Sequence, residues 1–141
     1  MDNMILEGKL NLIHTVGKFK ILINENKEVF WKYFGAVLFP GSLNIKIDKP
    51  ENLQQEFDRG NPQPNFVIPR TELVGMPDYI GNGQAWRCVL FCEKFPVPVE
   101  CWIFRRIGSR VPKGIIEIVS EQELVKPHAL KDGDEVSIEV L

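Results

Sequence analysis

The sequence predicts a mostly β protein, a small closed barrel carrying one or two short helices. Three observations lead there. Short runs of strand-forming residues recur along the chain, several with an apolar/polar alternation of period two. Turn signals such as Pro40-Gly41 and Asp132-Gly133 separate these runs. Only one segment, Asn24 to Gly35, changes to a helical period. A chain of 141 residues fits one domain with one core, expected over residues 1–141. Many short strands with few helices to cover them are best satisfied by closure, which removes exposed sheet edges.

Taken in order, Met4 to Ile13 reads as a strand around Glu7-Gly8, and Phe19 to Ile23 as a second. Val29, Phe30, Tyr33 and Phe34 then share one helical face, with Asn24 or Asn26 to cap its start and Gly35 to close it. Leu43 to Asp48 alternates as a half-buried strand. Pro50 to Pro64 reads as a polar surface loop with room for one helical turn. Phe66–Ile68, Glu72–Gly75, Ala85–Phe91 and Val97–Phe104 are further strand candidates, with Gly81-Asn82-Gly83 as a tight turn. Ile115 to Val119 is a strongly apolar strand interrupted by Glu117. Leu130 to Asp134 is a turn, and Glu135 to Leu141 is a final alternating strand.

Composition narrows the function classes. Seventeen Lys+Arg against nineteen Asp+Glu give a net charge of −2, which argues against a surface built to wrap nucleic acid. No apolar run approaches the roughly 18–20 residues that span a bilayer, so no membrane partner is expected. Met1-Asp2-Asn3-Met4 shows no basic region leading into an apolar stretch, and no signal peptide is expected. The odd set Cys88, Cys92 and Cys101 fits a reducing, cytoplasmic setting with buried free thiols. His14 and His128 lie too far apart in sequence for a zinc motif.

Three segments in a fixed order carry a sharper signal. They are Leu6-Glu7-Gly8, then Gly41-Ser42-Leu43-Asn44, then Ile116-Glu117-Ile118 followed by Leu130-Lys131-Asp132-Gly133-Asp134. Their order and spacing resemble the CTP-dependent riboflavin kinases of archaea, whose pattern is an early Glu-Gly strand, a Gly-Thr-Leu-Asn turn, an Ile-Glu-Ile strand and a Leu-Lys-Asp-Gly-Asp ending. The likeness covers nearly the whole chain and is weakest at about residues 50–100. It implies a six-stranded closed cradle-loop barrel that transfers phosphate from CTP to a ribityl hydroxyl of riboflavin, giving FMN, with magnesium.

The resemblance also implies site residues. Ser42 and Asn44 match the family's magnesium-binding Thr and Asn; as strand neighbours two apart they face the same side, and both offer the oxygen donors a hard cation takes. On residue type alone they are equally a turn serine and a strand-end asparagine. Glu117 and Ser109 match two flavin contacts. By period alone, Glu117 either faces solvent or lines a cavity; in the second case it can accept a proton from, or orient, the attacking hydroxyl, which makes it the catalytic candidate. Gly17 and Lys18 are what remains of a glycine-rich nucleotide loop. The aligned segment Leu12-Ile13-His14-Thr15-Val16-Gly17 puts β-branched residues where the family has glycines, and these resist the positive φ of a phosphate cradle. Leu124-Val125 stands where the family places Leu-Arg. His14 reads as a solvated loop residue. Arg105, Arg106, Arg110 and Lys113 read as a solvated basic face, or alternatively as an edge facing phosphate.

Two functions follow. One is a divergent kinase acting on riboflavin and a nucleoside triphosphate. The other is a non-catalytic barrel that binds a flavin, another small ligand or a protein. A regulatory barrel attached to a DNA-binding domain is disfavoured because no segment here fits a helix-turn-helix.

Overall fold

The computed structural model describes residues 3–12, 18–76, 80–108 and 114–141. Seven strands form: β1 (Met4–Leu10), β2 (Leu43–Lys49), β3 (Phe66–Ile68), β4 (Gly83–Phe91), β5 (Val99–Arg106), β6 (Ile115–Val119) and β7 (Glu135–Val140). The sheet runs β3-β4-β5-β6-β2-β1-β7, and β7 returns to pair with β4. Six antiparallel strands therefore close into a barrel, and β3 is an extra strand on the β4 side.

Period-two alternation decides which side chains fill the barrel. Leu6 and Leu10 from β1, Ile45 from β2, Trp86 and Leu90 from β4, Ile103 from β5, Ile116 and Ile118 from β6, and Ile138 from β7 form one buried cluster. Gly8 lies on the same inward face of β1, buried, beside a register shift between β1 and β2. The short helix α3 (Leu53–Asp58) falls in the segment expected to be a loop with one helical turn, and its Leu53 and Phe57 join the barrel core. Its Phe57 stacks on Trp86 with centroids 4.3 Å apart, and Trp86 Nε1 donates to Pro62 O at 2.9 Å.

Two more helices, α1 (Lys18–Glu25) and α2 (Lys27–Phe34), cover the outside of β4, β5 and β6. The strand expected over Phe19–Ile23 is thus the helix α1. Phe19, Leu22 and Ile23 repeat at i, i+3 and i+4, and all three are buried against Phe104 and Val119 in a second core cluster. Local strand propensity yields here to packing on an apolar outer sheet face. Gly35 closes α2 in the left-handed conformation at φ 67°, as expected. Asn26 occupies the cap position of α2 but makes no capping bond. Instead it is buried, donates to Leu22 O and Val74 O, and accepts from Val74 N at 2.8 Å.

The Glu72–Gly75 strand is absent. A single 3₁₀ turn, Arg70–Glu72, stands there, with Glu72 bonded to Lys32 at 2.8 Å and to Tyr33 of α2. Gly81-Asn82-Gly83 does not turn. Gly81 N donates to Ile107 O and Ile107 N to Asn82 O, so the segment extends the line of β4 beside the end of β5. Among the described residues there are three short helices and one 3₁₀ turn, where one or two short helices are expected. Among the described residues no helix is long and apolar enough to cross a membrane.

Candidate functional site

The strand alternation that points Leu43, Ile45 and Ile47 inward turns Asn44 outward, where it is half-buried. On β6, Ile116 and Ile118 go to the barrel core, so Glu117 and Val119 face out. The β2–β6 register sets Asn44 directly opposite Glu117. Directly opposed residues in an antiparallel pair carry their Cβ atoms about 4.5–5.5 Å apart on one face. Ser42 lies next along that face, its Oγ 3.5 Å from Asn44 Oδ1. Ser42, Asn44 and Glu117 are therefore brought together on one outer patch.

That patch borders a break in the sheet. The β5–β6 ladder consists of Trp102↔Val119 and Ile103↔Ile118 and stops there. Beyond it the strands separate, and a cavity of about 240 Å³ opens between them, lined by Phe57 and Asp58 of α3, Arg105 and Arg106 of β5, and Ile116 and Glu117 of β6. Glu117 is only 8% exposed. Its Oε1 accepts from Arg106 Nη2 at 3.0 Å, while Oε2 is buried without a partner among the described residues. Arg106 also lies over the Phe19 ring, 5.2 Å from its centroid. Arg105 points the other way along the strand and pairs with Asp58.

Arg105 and Arg106 are therefore neither a solvated face nor a free basic edge; each is half-buried against a carboxylate. The sequence held a signal for Arg106. Positions 102, 104 and 106 share the outer face of β5, and Trp102 and Phe104 pack under the helices. A cation continuing such a face needs a partner. Gly17 and Ser109 lie outside the described residues, as do His14, Arg110 and Lys113; Lys18 is the first residue of α1. The three cysteines are free thiols, with Cys88 and Cys101 buried and Cys92 half-buried.

The donor set suits a hard cation in part. Ser42 Oγ and Asn44 Oδ1 are close enough to share one ion, and magnesium keeps several waters and takes phosphate oxygens for the rest. Among the described residues no cluster of three His, Cys, Asp or Glu offers a competing metal site. A larger open trough of about 990 Å³ lies elsewhere, along Glu7, Lys9, Lys94 and Asp134. Its Lys94 and Asp134 pair with each other at 2.8 Å, and no buried acceptor is left vacant there among the described residues. The smaller cavity, with its vacant carboxylate oxygen, is the better candidate.

Comparison with known proteins gives the family. The family model of the CTP-dependent riboflavin kinase domain, described as domain of unknown function DUF120, matches residues 14–140. A riboflavin kinase of Methanospirillum hungatei is 27% identical over 138 residues, covering 98% of this chain and 58% of its own length. One of Saccharolobus solfataricus is 28% identical over 141 residues, covering 96% of this chain and 74% of its own. One of Sulfurisphaera tokodaii is 27% identical over 139 residues, covering 96% and 93%. The chain thus spans little more than half of the first relative and nearly all of the third.

Proposed function

The chain belongs to the CTP-dependent riboflavin kinase domain family, and on that premise we propose that it phosphorylates riboflavin to FMN at the expense of a nucleoside triphosphate. The observation that carries this reading is the register that sets Asn44 opposite Glu117, with Ser42 beside it. It gathers on one face the residues that such a reaction needs.

In this reading riboflavin enters the gap between β5 and β6. The flat, apolar part of the flavin has Phe57 and Ile103 to lie against, and the resemblance adds Ser109 as a further flavin contact. Glu117 Oε2 accepts a hydrogen bond from a ribityl hydroxyl and takes its proton as that oxygen attacks the terminal phosphorus. The P–O bond to the nucleoside diphosphate breaks, and the diphosphate leaves. Ser42 and Asn44 hold magnesium, which when bound neutralises charge on the phosphates. Gly17 and Lys18 are the candidate nucleotide contacts, and Lys18 is the first residue of α1. Positioning and electrostatics carry most of the catalysis in phosphoryl transfer, so a face of fixed strand residues is a suitable platform.

The test is direct. The purified protein is incubated with riboflavin, magnesium and either CTP or ATP, and FMN is separated by chromatography. Magnesium-dependent FMN formation is expected, falling on the order of a hundredfold or more in Glu117→Gln. Absence of both riboflavin binding and FMN with every nucleoside triphosphate would overturn the proposal.

A further inference from the structure

We infer that Arg106 is a positioning residue for Glu117, anchoring one carboxylate oxygen so that the other is offered to the substrate hydroxyl. The inference rests on the reading of Glu117 as the riboflavin contact and adds a residue that the family motif does not include.

Four observations carry it. Arginine and carboxylate usually meet through both oxygens, the geometry that gives such a pair its strength. Here only Oε1 is engaged, at 3.0 Å, and Oε2 is left buried and vacant. Both side chains are nearly buried, at 13% and 9% exposure, where a half-used ion pair is a costly arrangement to keep for stability alone. The guanidinium is itself held from behind by the Phe19 ring of α1. Finally, the pair stands where the β5–β6 ladder has ended, so a side-chain bridge, not backbone hydrogen bonding, spans the mouth of the cavity. Arg105 does not share the role, because Asp58 holds it against α3.

This division gives each oxygen one task. Oε1 fixes the carboxylate plane relative to β5. Oε2, with no other donor in reach among the described residues, is the acceptor a ribityl hydroxyl meets. Losing the anchor frees the side chain to turn, so the attacking oxygen is held less well even where riboflavin still enters.

The experiment compares wild type, Arg106→Lys, Arg106→Met, Glu117→Gln and the double variant Arg106→Met/Glu117→Gln. Riboflavin affinity is followed by flavin fluorescence, FMN formation by steady-state kinetics, and folding by thermal unfolding. Arg106→Lys keeps the charge and the fold but loses the planar fork, so kcat is expected to fall roughly tenfold with the KM for the nucleotide unchanged. Arg106→Met, if folded, falls further. The double variant, which leaves no buried charge unpaired, is expected to be no slower than Glu117→Gln alone. Wild-type kcat and riboflavin affinity in Arg106→Lys, or a double variant slower than Glu117→Gln by the full Arg106 effect, would overturn the inference while leaving the kinase reading intact. An unimpaired Glu117→Gln, or a wild-type protein that binds no riboflavin, overturns both.

Discussion

Gly8→Ala and Gly35→Ala add the same methyl group to two glycines that the structure uses for different reasons. At Gly35 the backbone lies at φ 67° and an added Cβ meets nothing within 4 Å. The cost is conformational only, roughly 1–2 kcal/mol. At Gly8 no positive φ is involved. The added Cβ would collide with the carbonyl oxygen of Lys46 and lie 3.0 Å from its carbonyl carbon and 3.1 Å from Ile45 Cγ2. The obstacle is backbone on the paired strand, which cannot rotate away, so β1 must move off β2. Overpacking costs about 1–3 kcal/mol, and a backbone clash at a ladder position belongs at the upper end. For a protein of this size 1 kcal/mol shifts Tm by about 3–5 °C, which gives Gly8→Ala a loss of about 10 °C and Gly35→Ala about half of that. Thermal and urea unfolding of the two variants measure this. Magnesium-dependent FMN formation should fall only in Gly8→Ala, because β2 also carries Asn44, the proposed magnesium ligand. Equal Tm losses, or a more damaging Gly35→Ala, would refute the steric argument.

Phe57→Ala removes the ring that stacks on Trp86 in the barrel core, and a stability loss of roughly 3–5 kcal/mol is expected in urea, with a red shift of tryptophan emission. Hydrogen bonds from Lys94 and the Lys131 backbone hold the Asp134 carboxyl below the usual range, and those from Lys32 and Tyr33 do the same for Glu72. Their stabilisation is present above the unfolded carboxylate value and is lost as pH falls through the lower folded value; Asp134→Asn with Glu72→Gln should therefore flatten the decline of Tm below about pH 4. The Cys101 hydrogen bond and burial push the Cys88 thiol well above its usual range, so Cys92 should react first with a thiol reagent and Cys88 only on unfolding; fast labelling of Cys88 in the native protein would contradict the buried assignment.

Period-two alternation made the barrel strands legible, because each alternates between a filled interior and an outer face. It failed where both faces are covered. β6 is buried along its whole length, so Glu117 could be placed on neither solvent nor cavity from its own neighbours. Its position is settled by the pairing of β2 with β6, a contact across 73 residues that no local pattern encodes. The misreading of Phe19–Ile23 has the same origin. Phe19, Ile21 and Ile23 at alternate positions are ambiguous until the outer face of β4 to β6 is there to receive Phe19, Leu22 and Ile23 at helical spacing. The motif order carried the family further than periodicity could, but it omitted Arg106, whose partner is fixed only by the splaying of β5 from β6.

The two halves of the candidate site rest on different supports. In the proposed site the flavin half rests on Glu117, which keeps its place because β6 is registered against β2 in a closed barrel. The nucleotide half depends on loop chemistry that this chain has changed. Where the family has a glycine-rich loop, the sequence has Ile13 and Val16, whose Cβ branches obstruct the approach of phosphate to backbone N–H groups. Leu12 and Val125 both pack against the barrel core. The resemblance sets Val125 where the family tends to place an arginine, and here the side chain packs on the core. One charge-assisted hydrogen bond is worth about 1.5–3 kcal/mol, or roughly ten- to 150-fold in affinity. CTP should therefore bind at least tenfold more weakly than it would with that contact in place, and FMN formation should be slow at ordinary CTP concentrations. Calorimetric titration of each ligand, with and without magnesium, measures the affinities. Val125→Arg should tighten CTP about tenfold and leave riboflavin unchanged. A wild-type protein that forms FMN rapidly at ordinary CTP concentrations would show that the glycine cradle is dispensable, and that Lys18 with the neighbouring basic residues supplies the phosphate contacts in its place.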